Sequence, residues 1–161
     1  MTTDVEQAAL LLGDARAGVP LGPMTTYCVG GRAGLFMEVT TDDELLLVTK
    51  AVQQTGVPVL VVGRGSNLLV ADAGFPGLAI TLAGAFATMD VAGTTVRAGG
   101  AVSLPVLARR TAAAALTGLE WAVGVPGSVG GAVRMNAGGH GSDVSQTVLR
   151  CRLVDLVQRI L

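Results

Sequence analysis

The stretch VLVVGRGSNLLV, residues 59–70, is an apolar run that is interrupted by GRGSN at 63–67 and then resumes. Each apolar half predicts a short buried strand. The joining residues contain too much glycine for a strand and are too few to hold a helix. Glycine between apolar segments lets a backbone turn tightly or approach a neighbour closely. The stretch therefore predicts a turn whose backbone closely contacts a ligand or another segment.

The composition is that of a folded, near-neutral protein. The chain has 161 residues, of which 50% are hydrophobic and 14% charged, which excludes a disordered chain. A net charge of -1 and a single Trp argue against a nucleic-acid partner. Cys28 and Cys151 form no metal-ligand pattern, and no apolar run has the length of a membrane span. We expect a cytoplasmic protein without a signal peptide, a membrane partner or a bound metal.

A strongly marked helix precedes the opening stretch. Thr41 and Glu44 have the spacing of a capping box, and Gly56 followed by Pro58 ends the helical pattern. The apolar runs LFMEV at 35–39 and VPVLVV at 57–62 flank this helix and predict a β-α-β unit with parallel strands.

The second half predicts another small α+β unit. FATMDV at 86–91 and TTVRAG at 94–99 predict a hairpin around Ala92-Gly93. A helix is expected from 104 to about 117, capped by Ser103, and TVLRCRLVDL at 147–156 predicts a last strand. The fold class is therefore α+β, with two small subdomains that meet at glycine loops. The expected divisions are a lead at 1–22, a first subdomain at 23–100 and a second subdomain at 101–161.

The loop at 63–67 matches neither common phosphate loop. A dinucleotide-binding fingerprint needs a third small residue and a following helix, whereas here Leu68 and an apolar run follow. The P-loop pattern is also absent. Successive N–H groups in a glycine-rich turn can still converge on an anion, and Ser66 and Asn67 add a hydroxyl and an amide. Phosphate or pyrophosphate binding and a tight β–β connection without a ligand both remain open.

A second glycine-rich stretch, GVPGSVGGAVRMNAGGHG, covers 124–141. Ser128 is placed to cap a short helix through Val133, and a helix N-terminus favours anions. Gly130 and Gly131 leave room for a flat ligand or another backbone, and Asn136 adds a donor and an acceptor. Packed glycine loops are the alternative explanation, but two such stretches in a small chain favour a large phosphorylated cofactor. Nearby, we expect His140 to be a loop residue and Trp121 a core anchor.

Three motifs together resemble one enzyme family. They are TTYCVGG at 25–31, VVGRGSNLLVAD at 61–72 and GLEWAVGVPGSVGGAVRMNAGGHGSDV at 118–144. Over residues 22 to 156, the chain resembles UDP-N-acetylenolpyruvoylglucosamine reductase, the flavoenzyme of bacterial peptidoglycan precursor synthesis. The resemblance implies a vanillyl-alcohol-oxidase-type (PCMH-type) FAD-binding domain, with the flavin between two α+β subdomains.

The resemblance also implies two groups of cofactor-binding residues. The first would hold the FAD pyrophosphate, largely through backbone amides: Gly63, Arg64, Gly65, Ser66 and Asn67. The second would line the dinucleotide and approach the isoalloxazine: Pro126, Gly127, Ser128, Gly131, Asn136, Ala137 and Gly138. If the backbone of Gly65 lies against the pyrophosphate, we expect Gly65→Val to abolish flavin retention.

The implied reaction takes hydride from NADPH through FAD to the enolpyruvyl double bond of UDP-N-acetylglucosamine enolpyruvate, which gives UDP-N-acetylmuramate. The family's catalytic arginine, proton donor and glutamate lie downstream of the region matched here, as does its substrate-binding domain. We therefore assign no catalytic residue in this chain, and we expect an exposed apolar patch where that domain would pack. The alternatives are a non-catalytic module that binds FAD or another dinucleotide, and an inactive fragment.

Overall fold

The computed structural model describes residues 3–156 of the chain. The described residues form two compact units, one comprising 3–81 with 153–156 and the other Leu82–Arg152. The division falls between Thr81 and Leu82, earlier than the expected boundary at residue 100. The hairpin that follows residue 82 belongs to the second unit, because its side chains Met89, Val96 and Ala98 pack on the core of that unit.

The first unit is a small four-stranded sheet with two helices. Its elements are α1 (Asp4–Leu11), β1 (Arg16–Ala17), β2 (Ala33–Val39), α2 (Asp42–Thr55), β3 (Val59–Val61) and β4 (Phe75–Leu82). The strand order is β1-β2-β4-β3, with β1 antiparallel to β2 and β3 parallel to β4. The strands β2 and β3 of the predicted β-α-β unit are therefore not neighbours, because β4 lies between them.

Residues 67–70 were predicted to form a strand, and the connection between β3 and β4 shows that this prediction is wrong. These residues are irregular and do not form a strand. Because β3 and β4 are parallel, the chain must return to the starting end of β3 before it can pair, and such a crossover takes about a dozen residues. Residues 62–74 make this crossover, so the apolar run after the glycine loop cannot continue as a strand.

The predicted start and end of helix α2 are both confirmed. The side chain of Thr41 accepts a hydrogen bond from the N–H of Glu44, and the Glu44 carboxylate accepts one from the N–H of Thr41, which completes the capping box. Gly56 ends the helix in the left-handed conformation, with φ 72°. Val48 and Val52 are buried on one face, as their spacing predicts.

The core beneath the glycine loop holds both ends of that loop. Its buried members are Leu21, Ala33, Phe36, Val62, Val70 and Ala79. Val62 precedes the glycine loop and Val70 follows it, and burying a valine side chain stabilises the fold by about 1.5–3 kcal/mol. The loop is therefore anchored at both ends by apolar contacts.

The second unit contains these strands and α-helices: β5 (Met89–Ala92), β6 (Thr95–Ala98), α3 (Leu104–Ala113), α4 (Val129–Met135), β7 (Gly138–Gly139) and β8 (Ser142–Asp143). The strands β5 and β6 form the predicted hairpin, in which Ala92 pairs with Thr95. The two turn residues are therefore Gly93 and Thr94, one position later than expected. Trp121 is 4% exposed in the core of this unit, which confirms its predicted role as an anchor.

Three further predictions about the second unit are wrong. Ser103 precedes α3 as expected, but its side chain makes no capping hydrogen bond. The helix α3 ends at Ala113, short of residue 117, and Ala115 adopts the left-handed conformation with φ 56°. Residues 147–156 do not form a strand. An extended apolar segment becomes a strand only when a neighbour pairs with its backbone, and no described strand does so here. Leu149 in this segment is consequently 85% exposed.

No helix within residues 3–156 has both the length and the apolar character that crossing a membrane requires.

Candidate functional site

The glycine loop at 63–67 begins just beyond the carboxyl end of β3, the edge where ligands bind in parallel sheets. The N–H of Val62 donates to the carbonyl of Ile80 and ends the ladder with β4. Gly65 then adopts φ 65°, and its carbonyl accepts a hydrogen bond of 3.2 Å from the N–H of Thr26. The loop is thus fastened to the TTYCVGG segment.

The close contact predicted for Gly65 is made with the protein itself. A Cβ at Gly65 would collide with the carbonyl oxygen of Met24 and lie 2.7 Å from the Cα of Thr25. Thr25 is buried and donates its hydroxyl to the carbonyl of Gly22 at 2.9 Å, so this backbone cannot easily yield. Gly65→Val would therefore disrupt local packing, and lost flavin retention in that variant would not locate the pyrophosphate.

The segments 26–31 and 65–71 run side by side in the same direction. Thr26 bonds Gly65 at one end, and the N–H of Gly31 donates to the carbonyl of Ala71 at 2.9 Å at the other. Between these bonds, Gly30 has φ 118°, and a Cβ there would lie 2.6 Å from the Cβ of Val70. Two of the three sequence motifs are therefore brought together within the first unit.

The loop also presents backbone donors that the described chain does not use. Within residues 3–156, no protein acceptor pairs with the backbone N–H groups of Gly63, Arg64 or Asn67. Ser66, by contrast, has an interaction within the chain. The side chains of Arg64 and Asn67 are exposed beside these donors. Unpaired N–H groups in a glycine-rich turn, next to an arginine, suit a phosphate or pyrophosphate.

The second glycine stretch uses its N–H groups differently. Ser128 is buried and caps α4 through a 3.3 Å bond from the N–H of Gly131 to its hydroxyl oxygen. The N–H groups of Val129 and Gly130 donate to the carbonyls of Val102 and Gly100, each at 2.8 Å. The predicted cap is confirmed, but the first three N–H groups of α4 are already bound within the unit. An anion at the start of α4 was expected to be bound by these N–H groups, but they already donate to the protein and are not offered to a ligand.

Gly130 and Gly131 differ in what lies beside them. A Cβ at Gly130 would lie 3.1 Å from the carbonyl oxygen of Gly100, so this glycine allows one backbone to pack on another. A Cβ at Gly131 would meet only the Ser128 hydroxyl, at 3.4 Å, and Gly131 is exposed. Pro126 is exposed as well, while Gly127 accepts a hydrogen bond from the N–H of Leu104.

Asn136 organises the loop that follows α4. It ends the helix with φ 44°, and its Oδ1 accepts a 3.0 Å bond from the N–H of Ser145. The Ser145 hydroxyl donates to Asp143 at 2.6 Å and lowers the pKa of that carboxyl below its ordinary value. Ala137 accepts a bond from the N–H of Val144, and Gly138 pairs with Asp143. Residues 136–138 therefore hold the short β7–β8 ribbon in place.

The structure thus places the predicted site residues in two sets, each gathered within its own unit. Residues 63–67 belong to the first unit, and the seven residues between 126 and 138 belong to the second. Sequence reasoning assigned no role to Thr25 and Thr26, which support the loop. Their position in the TTYCVGG motif was the available signal.

Trp121 has a second property that the sequence did not reveal. Its Nε1 is the one buried side-chain polar atom of the described residues that lacks a hydrogen-bond partner. Trp121 lines an open cleft of about 260 Å³ together with Gly118, Glu120, His140 and Ser142. The carboxylate of Glu120 accepts bonds from the Thr117 hydroxyl and the Gly118 N–H, and the Thr117 bond is the main cause of its lowered pKa.

Comparison with known proteins gives a consistent result. The family described as FAD binding domain matches residues 33–158. UDP-N-acetylenolpyruvoylglucosamine reductase of Synechococcus sp. (strain JA-3-3Ab) is 40% identical over 152 residues, which are 94% of this chain and 49% of that protein. The reductase of Paramagnetospirillum magneticum is 49% identical over 138 residues, 84% of this chain and 44% of that protein.

A solved structure supports the same fold. The crystal structure of UDP-N-acetylenolpyruvylglucosamine reductase from Thermus caldophilus matches with a TM-score of 0.70 at 42% identity. The match covers 80% of this chain and 45% of that one. The expected fold class, an α+β FAD-binding domain of the vanillyl-alcohol-oxidase type, is confirmed. The chain spans about half the length of the curated relatives it matches.

Proposed function

The chain belongs to the FAD binding domain family, and we propose that it binds FAD with the pyrophosphate on the loop at 63–67. The observation that carries this proposal is the set of unpaired N–H groups at Gly63, Arg64 and Asn67. The loop is held by its contacts with residues 24–26, so its donors are ordered before a ligand arrives. Such preorganisation lowers the entropic cost of binding. The exposed Arg64 side chain adds a positive charge beside the phosphates.

The second set of residues would line the rest of the dinucleotide. Pro126 and Gly131 are exposed and offer surfaces without long side chains. Ser128 and Asn136 would act indirectly, since their polar groups bond the protein at Gly131 and Ser145. Ala137 and Gly138 would then present backbone in a position that Asn136 and the β7–β8 ribbon fix.

For the whole protein, we propose the reductase activity on UDP-N-acetylenolpyruvoylglucosamine that its relatives are named for. We propose in addition that NADPH is the hydride donor and UDP-N-acetylmuramate the product. Bound FAD would supply the hydride chemistry between the nicotinamide and the enolpyruvyl double bond. The residues of this chain would bind and orient the cofactor, and none is assigned as a proton donor. A cytoplasmic setting and a UDP-sugar partner, without nucleic acid or membrane partners, belong to this proposal.

The deciding experiment is the absorption spectrum of the purified chain before and after addition of FAD, with released flavin identified by chromatography. We expect a flavin spectrum that stays with the chain through gel filtration. Arg64→Glu should weaken FAD binding by about tenfold through repulsion of the phosphates. The matched control is Arg109→Glu, an exposed arginine on α3, which should leave the affinity unchanged.

The opposite results separate the alternatives. A folded chain that binds no FAD would refute the proposal and support an inactive fragment. A chain that binds FAD but does not oxidise NADPH with the UDP-sugar would be the non-catalytic module. Turnover by this chain alone would show that it contains catalytic groups not recognised in its sequence.

A further inference from the structure

We propose that Tyr27, Val29 and Leu69 form an apolar rim that holds an aromatic ring of the dinucleotide beside the glycine loop. This inference rests on the proposed function, since it concerns the same ligand. It adds a subsite made of residues to which neither the loop chemistry nor the comparisons assign a role.

The rim follows from the way in which two segments lie together. The pair Thr26 and Gly65 and the pair Gly31 and Ala71 are each joined by a backbone hydrogen bond. Residues 27–29 therefore lie alongside residues 66–69, at the point where the loop presents its N–H groups. The rim residues and the unpaired donors therefore lie on the same pair of neighbouring segments.

The three rim side chains point away from the core. Tyr27 is 65% exposed, Val29 51% and Leu69 70%. The neighbours of Leu69 in sequence, Leu68 and Val70, face the other way and pack in the core of the unit. These contacts hold Leu69 outward, while Tyr27 and Val29 belong to the exposed stretch 26–29.

The chemistry of the rim complements that of the loop. A dinucleotide joins flat aromatic rings to a charged pyrophosphate, so its site needs apolar contacts next to anion donors. Stacking of a ring on an aromatic side chain strengthens binding by about tenfold or more. Tyr27 can supply this contact while its hydroxyl stays in water, and Val29 and Leu69 can cover the ring edge.

The test is calorimetric binding of FAD, ADP, FMN and inorganic pyrophosphate to the folded chain and to Tyr27→Ala and Leu69→Ala. We expect each variant to bind FAD about tenfold more weakly and pyrophosphate with unchanged affinity. Tyr27→Phe should retain most of the FAD affinity. The control is Leu10→Ala on α1, because Leu10 is 82% exposed and apolar like the rim. The control should bind FAD within about twofold of the wild type.

The results distinguish this inference from the proposed function. Unchanged FAD affinity in both rim variants, or an equal loss for FAD and pyrophosphate, would overturn the rim while leaving the loop in place. A wild-type chain that binds neither FAD nor pyrophosphate would overturn both proposals. A rim effect shared with ADP identifies the adenine as the ring, and one shared with FMN identifies the isoalloxazine.

Discussion

The two glycine-rich stretches of this chain look alike in sequence but use their backbone differently. At 63–67, the N–H groups of Gly63, Arg64 and Asn67 have no acceptor within residues 3–156. At 128–131, the N–H groups of Val129, Gly130 and Gly131 all donate to groups of their own unit. The first stretch can therefore donate hydrogen bonds to a ligand, whereas the first turn of α4 can contribute mainly van der Waals contacts.

The glycines themselves are required for similar reasons in both places. Gly65 lies against the backbone of Met24 and Thr25, and Gly130 lies against the backbone of Gly100. Close packing of one backbone on another explains each glycine without a ligand. A glycine motif thus identifies a close approach, and the hydrogen-bond inventory then shows whether donors remain for a partner.

The largest expected effect concerns Gly65. Gly65→Ala should lower the free energy of unfolding by about 2–4 kcal/mol, because left-handed strain of about 1 kcal/mol adds to an overpacking cost of about 1–3 kcal/mol. Gly18→Ala is the control, since Gly18 has a similar φ of 63° and a Cβ added there would meet no atom within 4 Å. It should lose only about 1 kcal/mol. Urea unfolding measures both, and equal losses would show that the collision with Met24 is relieved cheaply.

The next effect is on amide exchange. The N–H groups of Val129 and Gly130 should exchange at least about 100-fold more slowly than those of Gly63, Arg64 and Asn67, relative to their intrinsic rates. Exchange followed by NMR measures each group separately. Addition of FAD should slow the three loop amides and leave Val129 and Gly130 as they were. Strong protection of the loop amides in the chain alone would contradict the comparison between the two stretches.

Local chemistry predicted the parts of the fold that depend on neighbours in sequence. Thr41, Glu44 and Gly56 mark the ends of α2, and Ser128 marks the start of α4, as the structure confirms. The apolar spacing of Val48 and Val52 identified the buried face of α2. These features follow from hydrogen bonds and contacts within a few residues, so the sequence contains the necessary information.

Pairing over longer distances was harder to predict. Residues 67–70 and 147–156 both have the composition of strands, but neither segment pairs with a described strand. The glycines at 63–67 were recognised, while their contact with residues 24–26 depends on a fold that brings distant segments together. The side chain of Asn136 was expected to contact a ligand, but its Oδ1 accepts a hydrogen bond from the N–H of Ser145, nine residues later.

Substitutions at Asn136 test the second glycine-rich stretch, and their expected effect on stability is moderate. Asn136→Ala should lower the unfolding free energy by about 2 kcal/mol, since it adds left-handed strain and removes the bond to Ser145. Asn136→Gly should lose only about 1 kcal/mol, because glycine adopts φ 44° without strain. Chemical unfolding of the two variants measures the difference. Equal stability of both variants with the wild type would mean that Asn136 is held for a ligand and not for the fold.

The smallest expected effect is the pH dependence that comes from Glu44 in the capping box. Hydrogen bonds from the N–H and hydroxyl of Thr40 lower the pKa of Glu44 below its ordinary value of 4.5. A carboxyl whose folded pKa is lowered stabilises the fold above its unfolded pKa, and this contribution is lost as the pH falls through the folded pKa. The stability difference between wild type and Glu44→Gln should therefore be constant near neutrality and shrink below about pH 4.5. Urea unfolding of both proteins from about pH 7 to about pH 3 measures it, with Glu38→Gln on the exposed side of β2 as the control. A difference that grows on acidification would show that the charged form of Glu44 does not stabilise the start of α2.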